Sequence, residues 1–184
     1  MIVLLGVAGA GKSMQGRLLA DDYGYAWIST GEILRVLVTG KRRQEMLQGK
    51  LLSDEEMIKI MDKVLGLVDV KEEFVLDGFP RTIPQCDWIL EQVKNGAFNI
   101  TAVIHLVASE EVVRDRLFHR GRVDDTDEAI SRRFSEYKVV TMPIIDHFTK
   151  ANVRVYEIDA SQEPRAVHDK IMKIVKLNSQ THQS

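Results

Sequence analysis

The sequence predicts an α/β fold in three layers, a parallel sheet with helices on both faces. Three observations predict it. Short apolar, β-branched runs recur at residues 2–5, 25–28, 74–76, 102–107 and 153–158; longer stretches of helical spacing separate them; and the first run ends in a glycine-rich turn that opens a helix. At 184 residues the chain is long enough for one well-formed core and too short for two ordinary domains with a linker. Its 45% hydrophobic and 28% charged residues are those of a globular protein in water, and a net charge of −2 gives no global attraction to nucleic acid or anionic lipid, so neither is expected as a partner. The single cysteine, Cys86, allows no internal disulfide and no cysteine-based zinc site, which suits a reducing compartment. The apolar run after Met1 is too short for a signal peptide, and no other run approaches the ~18 residues that cross a bilayer. A soluble, cytoplasmic protein is expected.

The elements follow in order. The first strand, 2–5, leads through Gly6-Val7-Ala8-Gly9-Ala10-Gly11-Lys12-Ser13 into a helix running to about Tyr23. Three spacings have the form of a capping box, Ser29 with Glu32, Ser53 with Glu56, and Asp125 with Glu128, and each announces a helix start. Met57, Ile58, Met61, Val64, Leu65 and Val68 follow helical spacing and mark a face turned to the core. Ser109 begins a further helix, Gly121 breaks it, and a second follows with Ile130, Phe134 and Tyr137 facing inward and Arg133 at the edge of that face. A closing helix is expected over about 164–177, followed by a polar tail.

The chemistry begins at Gly6-x-x-x-x-Gly11-Lys12-Ser13, which fits the phosphate-binding pattern G-x-x-x-x-G-K-[ST] in its required place between a strand and a helix. Glycines let successive amides turn toward phosphate oxygens, the helix adds its positive end, and Lys12 brings a mobile charge. This loop alone names no reaction. Asp77, leaving the third strand, stands where it would hold Mg²⁺ through water, and Arg81 adds a planar charge nearby; read in isolation, a turn residue and a surface arginine fit equally well. Arg116 and Arg120 lie four apart on one helical face with Arg122 just beyond, so three guanidiniums are expected to converge. Solvated helix surface accounts for Arg42, Arg43, Arg114 and Arg132. His105 reads as a core histidine, His119 and His147 as surface groups, and Cys86 and Trp88 as packing.

In combination these segments resemble the adenylate kinase family over nearly the whole chain. Ile28-Ser29-Thr30-Gly31-Glu32-Ile33-Leu34-Arg35 is similar to the family's monophosphate segment, and Asp77-Gly78-Phe79-Pro80-Arg81-Thr82 with Gln85 is similar to its signature. The resemblance implies a P-loop three-layer sandwich on a five-stranded parallel sheet, with core 1–29, 60–120 and 128–184, a helical monophosphate-binding arm at 30–59 and a short lid at 121–127. It implies that Gly9, Ala10, Gly11, Lys12, Ser13, Met14, Arg116, Arg120 and Gln162 bind ATP, Gln162 through its backbone. Thr30, Gly31, Arg35, Gly78, Phe79, Pro80, Arg81, Gln85, Arg122 and Arg133 would bind AMP, with Gln85 reading the adenine edge. Lys12, Arg81, Arg120, Arg122 and Arg133 would act on the transferring group, and Ser13 and Asp77 would hold Mg²⁺. The implied reaction is ATP + AMP ⇌ 2 ADP, in a monomer without structural zinc.

The chain departs from the family at three points. Ala8 stands where proline is usual, Ser13-Met14 replaces the usual Gly-Thr, and only Gly121 separates Arg120 from Arg122 in the lid. Other acceptors such as UMP or CMP, a P-loop hydrolase, and a non-catalytic nucleotide-binding module are the competing readings. Thr30, Thr82 and Gln85 favour AMP, and the sequence has no Asn-Lys-x-Asp segment that reads guanine.

Overall fold

The computed structural model describes residues 1–47, 52–122 and 125–181. Five strands, β1 (Ile2–Leu5), β2 (Ala26–Ser29), β3 (Phe74–Asp77), β4 (Ala102–Val107) and β5 (Val155–Asp159), form one all-parallel sheet in the order β2-β3-β1-β4-β5. Among the described residues nine α-helices connect or flank them: α1 (Lys12–Tyr23), α2 (Thr30–Leu37), α3 (Gly40–Leu47), α4 (Asp54–Leu65), α5 (Ile83–Lys94), α6 (Glu110–Arg120), α7 (Asp127–Glu136), α8 (Met142–Lys150) and α9 (Pro164–Thr181). A π-helical turn, Tyr137–Thr141, joins α7 to α8.

Alternation along the strands divides the core in two. Ile2, Leu4, Val75, Ala102, Ile104 and Leu106 pack with Leu19 of α1, Val113 and Leu117 of α6 and Ile171 of α9. Val3, Leu5, Phe74, Leu76 and Val103 face the other way, toward Met57 and Met61 of α4, Ile89 of α5 and Ile144 and Phe148 of α8. A strand covered on both sides has no solvent face, so β1, β3 and most of β4 read as continuous apolar runs without polar alternation.

The strand and helix expectations hold with small shifts at their ends, and the differences have physical causes. Ser29 precedes α2 but makes no capping bond, because Glu32 turns instead to Arg35 and Arg122. The cap of α7 is Thr126, whose hydroxyl accepts from the Ala129 amide; Asp125, one residue earlier, is drawn inward by arginines. Helix α9 continues past residue 177 to Thr181. Ser53 does cap α4, accepting from the Glu56 amide at 3.3 Å and donating to its carboxylate at 3.0 Å. His105 is buried and touches the Tyr137 hydroxyl, His119 is exposed, and His147 is partly covered by its 2.6 Å bond to Asp87. Burial pushes the Cys86 thiol up to about 12, as expected for a packing residue, and Trp88 packs edge-on against Phe79.

Candidate active site

Parallel strands deliver their following loops to one edge of the sheet, so the register decides which loops meet. Leu4 and Ser29 both lie opposite Asp77, which brings the turn after β1, the start of α2 and the turn after β3 together. In the first turn Gly9 has φ +89, and an added Cβ would stand 2.9 Å from both Val113 and Leu117, so the loop rests directly on α6. Gly11 caps α1 with no side chain on its first-turn amides, which leaves that helix end open to an anion. The Lys12 ammonium folds back and donates to the carbonyls of Gly6 at 2.7 Å and Val7 at 2.9 Å. Ser13 donates to the Asp77 carboxylate at 2.7 Å. Met14, in the first turn of α1, is half exposed.

Lys12 shows how the site is charged. Burial lowers its pKa to about 8; Asp77 opposes that fall, while Arg81 and Arg120 add to it. Arg81 is likewise pushed down by burial, with Arg133 and Arg35 adding to the effect and Asp77 and Glu136 countering it. Lys12 of the loop and Arg81 of the β3–α5 turn therefore flank the buried carboxylate Asp77, with Arg120 of α6 near Lys12 and with Arg133 of α7 and Arg35 of α2 near Arg81. Like charges gather in a half-dry cleft only at the expense of stability, and that arrangement suits an anionic ligand.

Where α2 meets the turn after β3, Thr30 donates to the Asp77 carbonyl at 3.1 Å. Gly78, at φ +83, leaves room for the Thr30 hydroxyl, which an added Cβ would meet at 2.6 Å. Phe79 and Pro80 are buried, and the Phe79–Pro80 peptide is cis. Arg81 donates from Nε to the Gly78 carbonyl at 2.9 Å, and its own carbonyl accepts from Thr141 at 3.2 Å, at the end of the π-helical turn. Such turns recur at functional sites because they re-aim the residues around them. Arg35 donates to the Gly31 carbonyl at 2.5 Å and stands 3.6 Å from Glu32, which also accepts from Arg122 at 3.0 Å. Gln85 accepts from the Arg81 amide and donates to Asp54, both at 2.8 Å.

The three guanidiniums expected together on α6 take separate partners. Arg120 grips Asp125 with two bonds, 2.9 and 2.6 Å, and Arg133 reaches the same carboxylate at 3.2 Å. Arg122 contributes its amide to Asp125 and its guanidinium to Glu32, so it connects the segment after α6 to α2. Arg116 instead approaches the Ser161 carbonyl at 3.5 Å, beside Gln162, whose side chain is held by Asp159 and Lys170. Val123 and Asp124 of the expected lid lie outside the described residues. Arg114, read from sequence as solvated, braces α6 to α7 through Glu110, Asp127 and Ser131.

Sequence reasoning passed over Glu32, Asp54, Asp125 as an arginine partner, Glu136 and Thr141. It also passed over Thr82 as a cap, although Thr82-x-x-Gln85 has capping-box spacing and Thr82 does cap α5. No local pattern marks Asp54, because an acid in a first helical turn is ordinary.

Comparison with known proteins agrees with this geometry. The model of the adenylate kinase family matches residues 4–153. The chain is 39% identical to an adenylate kinase of Corynebacterium urealyticum, over 86% of this chain and 90% of that one. It is 35% identical to an adenylate kinase of Oenococcus oeni, covering 95% and 96% of the two chains, and 32% identical to one of Rhizobium meliloti, covering 95% and 98%. The phosphate loop, the buried Asp77 and the ring of arginines thus belong to a chain that is a member of the adenylate kinase family.

Proposed function

We propose that this protein transfers the terminal phosphoryl group of ATP to AMP, giving two ADP, at the cleft between the Gly6–Ser13 loop and the Asp77–Arg81 turn. The observation that carries the reading is the cluster of cations in which Lys12 and Arg81 flank the buried Asp77, Arg120 stands near Lys12, and Arg133 and Arg35 stand near Arg81. Loop amides and Lys12 hold the ATP phosphates, with Arg116, Met14 and the Gln162 backbone on the nucleoside side. Arg35 and Arg81 take the AMP phosphate, Thr30 and Gln85 its base, and Arg120, Arg122 and Arg133 the charge spread over the transferring group.

An oxygen of the AMP phosphate attacks the γ-phosphorus in line, the bond from that phosphorus to the β,γ-bridging oxygen breaks, and ADP leaves. No side chain acts as nucleophile. The work of the chain is to align the two phosphates and exclude water. Arg120, Arg122 and Arg133, held by Asp125 and Glu32 in this structure, must exchange those carboxylates for phosphate oxygens, and closure of a lid at 121–127 and an arm at 30–59 over core 1–29, 60–120 and 128–184 accomplishes that exchange. Helix α4 runs across position 59, so the arm pivots within or beside a continuous helix.

Ser13 and Asp77 form a hydroxyl–carboxylate pair, and no group of three or more His, Cys, Asp or Glu stands together among the described residues. That donor set fits Mg²⁺, which keeps several waters and binds through a few protein oxygens plus substrate phosphates. Bound there, the ion would neutralise charge on the ATP phosphates. The protein is proposed to act as a cytoplasmic monomer without structural zinc; among the described residues no helix is long and apolar enough to cross a membrane.

The test is Arg81→Ala, assayed with ATP, Mg²⁺ and a panel of AMP, UMP and CMP. Wild-type protein is expected to form ADP with AMP in preference to the others. The variant should retain its far-ultraviolet circular dichroism and lose at least about a hundredfold in turnover. Normal turnover by the variant, or steady phosphate release by wild type without any acceptor, would sink the assignment.

A further inference from the structure

The side-chain amide of Gln85 is 3% exposed for the residue as a whole and has two contacts of opposite kind. Its oxygen accepts from the Arg81 backbone N–H, and its nitrogen donates to Oδ1 of Asp54. A backbone N–H can only donate, and an ionised carboxylate can only accept. These two partners therefore fix which end of the amide is oxygen and which is nitrogen. The carboxylate is itself fixed. The Thr82 hydroxyl donates to the same Oδ1 at 2.6 Å while accepting the Gln85 backbone amide at 3.4 Å.

Asp54 opens α4, whereas Thr82 and Gln85 sit at the start of α5, so the bonds span 28 and 31 residues of sequence. After these contacts the Gln85 amide retains one N–H and one oxygen lone pair for a ligand.

We propose that Asp54 is a specificity-determining positioning residue, which holds the Gln85 amide in the single orientation that suits a 6-aminopurine and rejects a 6-oxopurine. The inference rests on the proposed placement of Gln85 at the edge of the AMP base. A 6-aminopurine presents an exocyclic donor beside a ring acceptor, the pairing that glutamine amides make with adenine. A 6-oxopurine presents the reverse on its pairing edge, a carbonyl acceptor beside a ring N–H. An amide free to turn over would serve both. Locked by Asp54 and Arg81 N–H, it serves one, and the wrong base leaves buried polar groups unpaired, the strongest basis for rejection available to a site.

The test compares AMP with inosine monophosphate as acceptor, under saturating ATP and Mg²⁺, for wild type, Asp54→Ala and Asp54→Asn. Asp54→Ala is expected to lower the ratio of kcat/KM for AMP to kcat/KM for inosine monophosphate by about tenfold, chiefly through KM for AMP, with KM for ATP unchanged. Asp54→Asn, whose amide oxygen still accepts from Gln85, should keep the ratio within about threefold of wild type. The ratio does not depend on the fraction of folded enzyme, so a destabilised variant still reports. An unchanged ratio in Asp54→Ala, or an equal loss for both acceptors as a purely structural role would give, overturns the inference. Absence of AMP phosphorylation by wild type would instead overturn the proposed function on which it stands.

Discussion

Lys12 is the residue at which burial and charge oppose each other most directly. Among the described residues its ammonium donates to two carbonyls, and burial brings its pKa to about 8. A bound triphosphate favours the charged form and raises that value again. Around and above pH 8, then, ATP binding is expected to take up a proton and affinity to fall as pH rises; well below pH 8 Lys12 is already charged and contributes little slope. Calorimetry in two buffers of different ionisation enthalpy should show uptake at pH 8.5 and little at pH 6.5, and the uptake should vanish in Lys12→Ala together with at least about a hundredfold of turnover. Equal uptake in that variant would assign the proton to another group. Asp125 behaves in the opposite sense. Burial would raise its pKa, but hydrogen bonds and charge from Arg120, the Arg122 amide and Arg133 hold it below the usual carboxylate value. Its contribution to stability is therefore present above about pH 4 and lost as pH falls through the depressed folded value. Asp125→Asn should cost about 1–3 kcal/mol in urea unfolding at pH 7 and flatten the acid limb of the stability curve.

At the scale of elements, helix starts separate caps that exist from caps that only have the right spacing. Thr126→Ala removes a real bond to the Ala129 amide and should cost about 1 kcal/mol. Ser29→Ala removes no capping bond and should not produce that cap-sized loss. Thermal melts of the two single variants distinguish them, since about 1 kcal/mol shifts a domain of this size by roughly 2–4 °C. The contact of the phosphate loop with α6 is a second element-level constraint. Gly9→Ala drives a methyl group into Val113 and Leu117 at 2.9 Å and demands a left-handed backbone of a residue with a side chain. The strain must be relieved by moving either the loop or α6, so lowered stability and lost ATP binding should appear together. Loss of only one of them would show that the two elements are not coupled.

For the whole molecule the sheet is the organising body, with one core on each face. Phe148 of α8 is fully buried in one and Ile171 of α9 in the other. Phe148→Ala is expected to cost about 3–5 kcal/mol and Ile171→Ala about 2–5 kcal/mol, measured by urea midpoint, because each side chain is fully buried and its removal leaves a cavity. The two losses should add, since the side chains lie on opposite faces and share no cluster.

Much of this was legible in the chain alone, for reasons of range. The apolar runs gave the five strands because burial on both faces leaves no other composition, and Gly6-x-x-x-x-Gly11-Lys12-Ser13 gave the loop because its geometry is set by residues adjacent in sequence. Arg81, Arg120 and Arg133 were nameable through motifs carrying them in order. What a residue touches across the fold was not. Asp125 has the spacing of a cap and became an anchor for two arginines; Glu32 has the spacing of a capping acid and became the link between Arg35 and Arg122; Asp54 has no signal at all and holds Gln85. Local spacing determines how a side chain serves its own helix. Only the parallel register, which sets Leu4 and Ser29 opposite Asp77, decided which distant charges would meet there, because that meeting is fixed by strand pairing and helix packing rather than by neighbours along the chain.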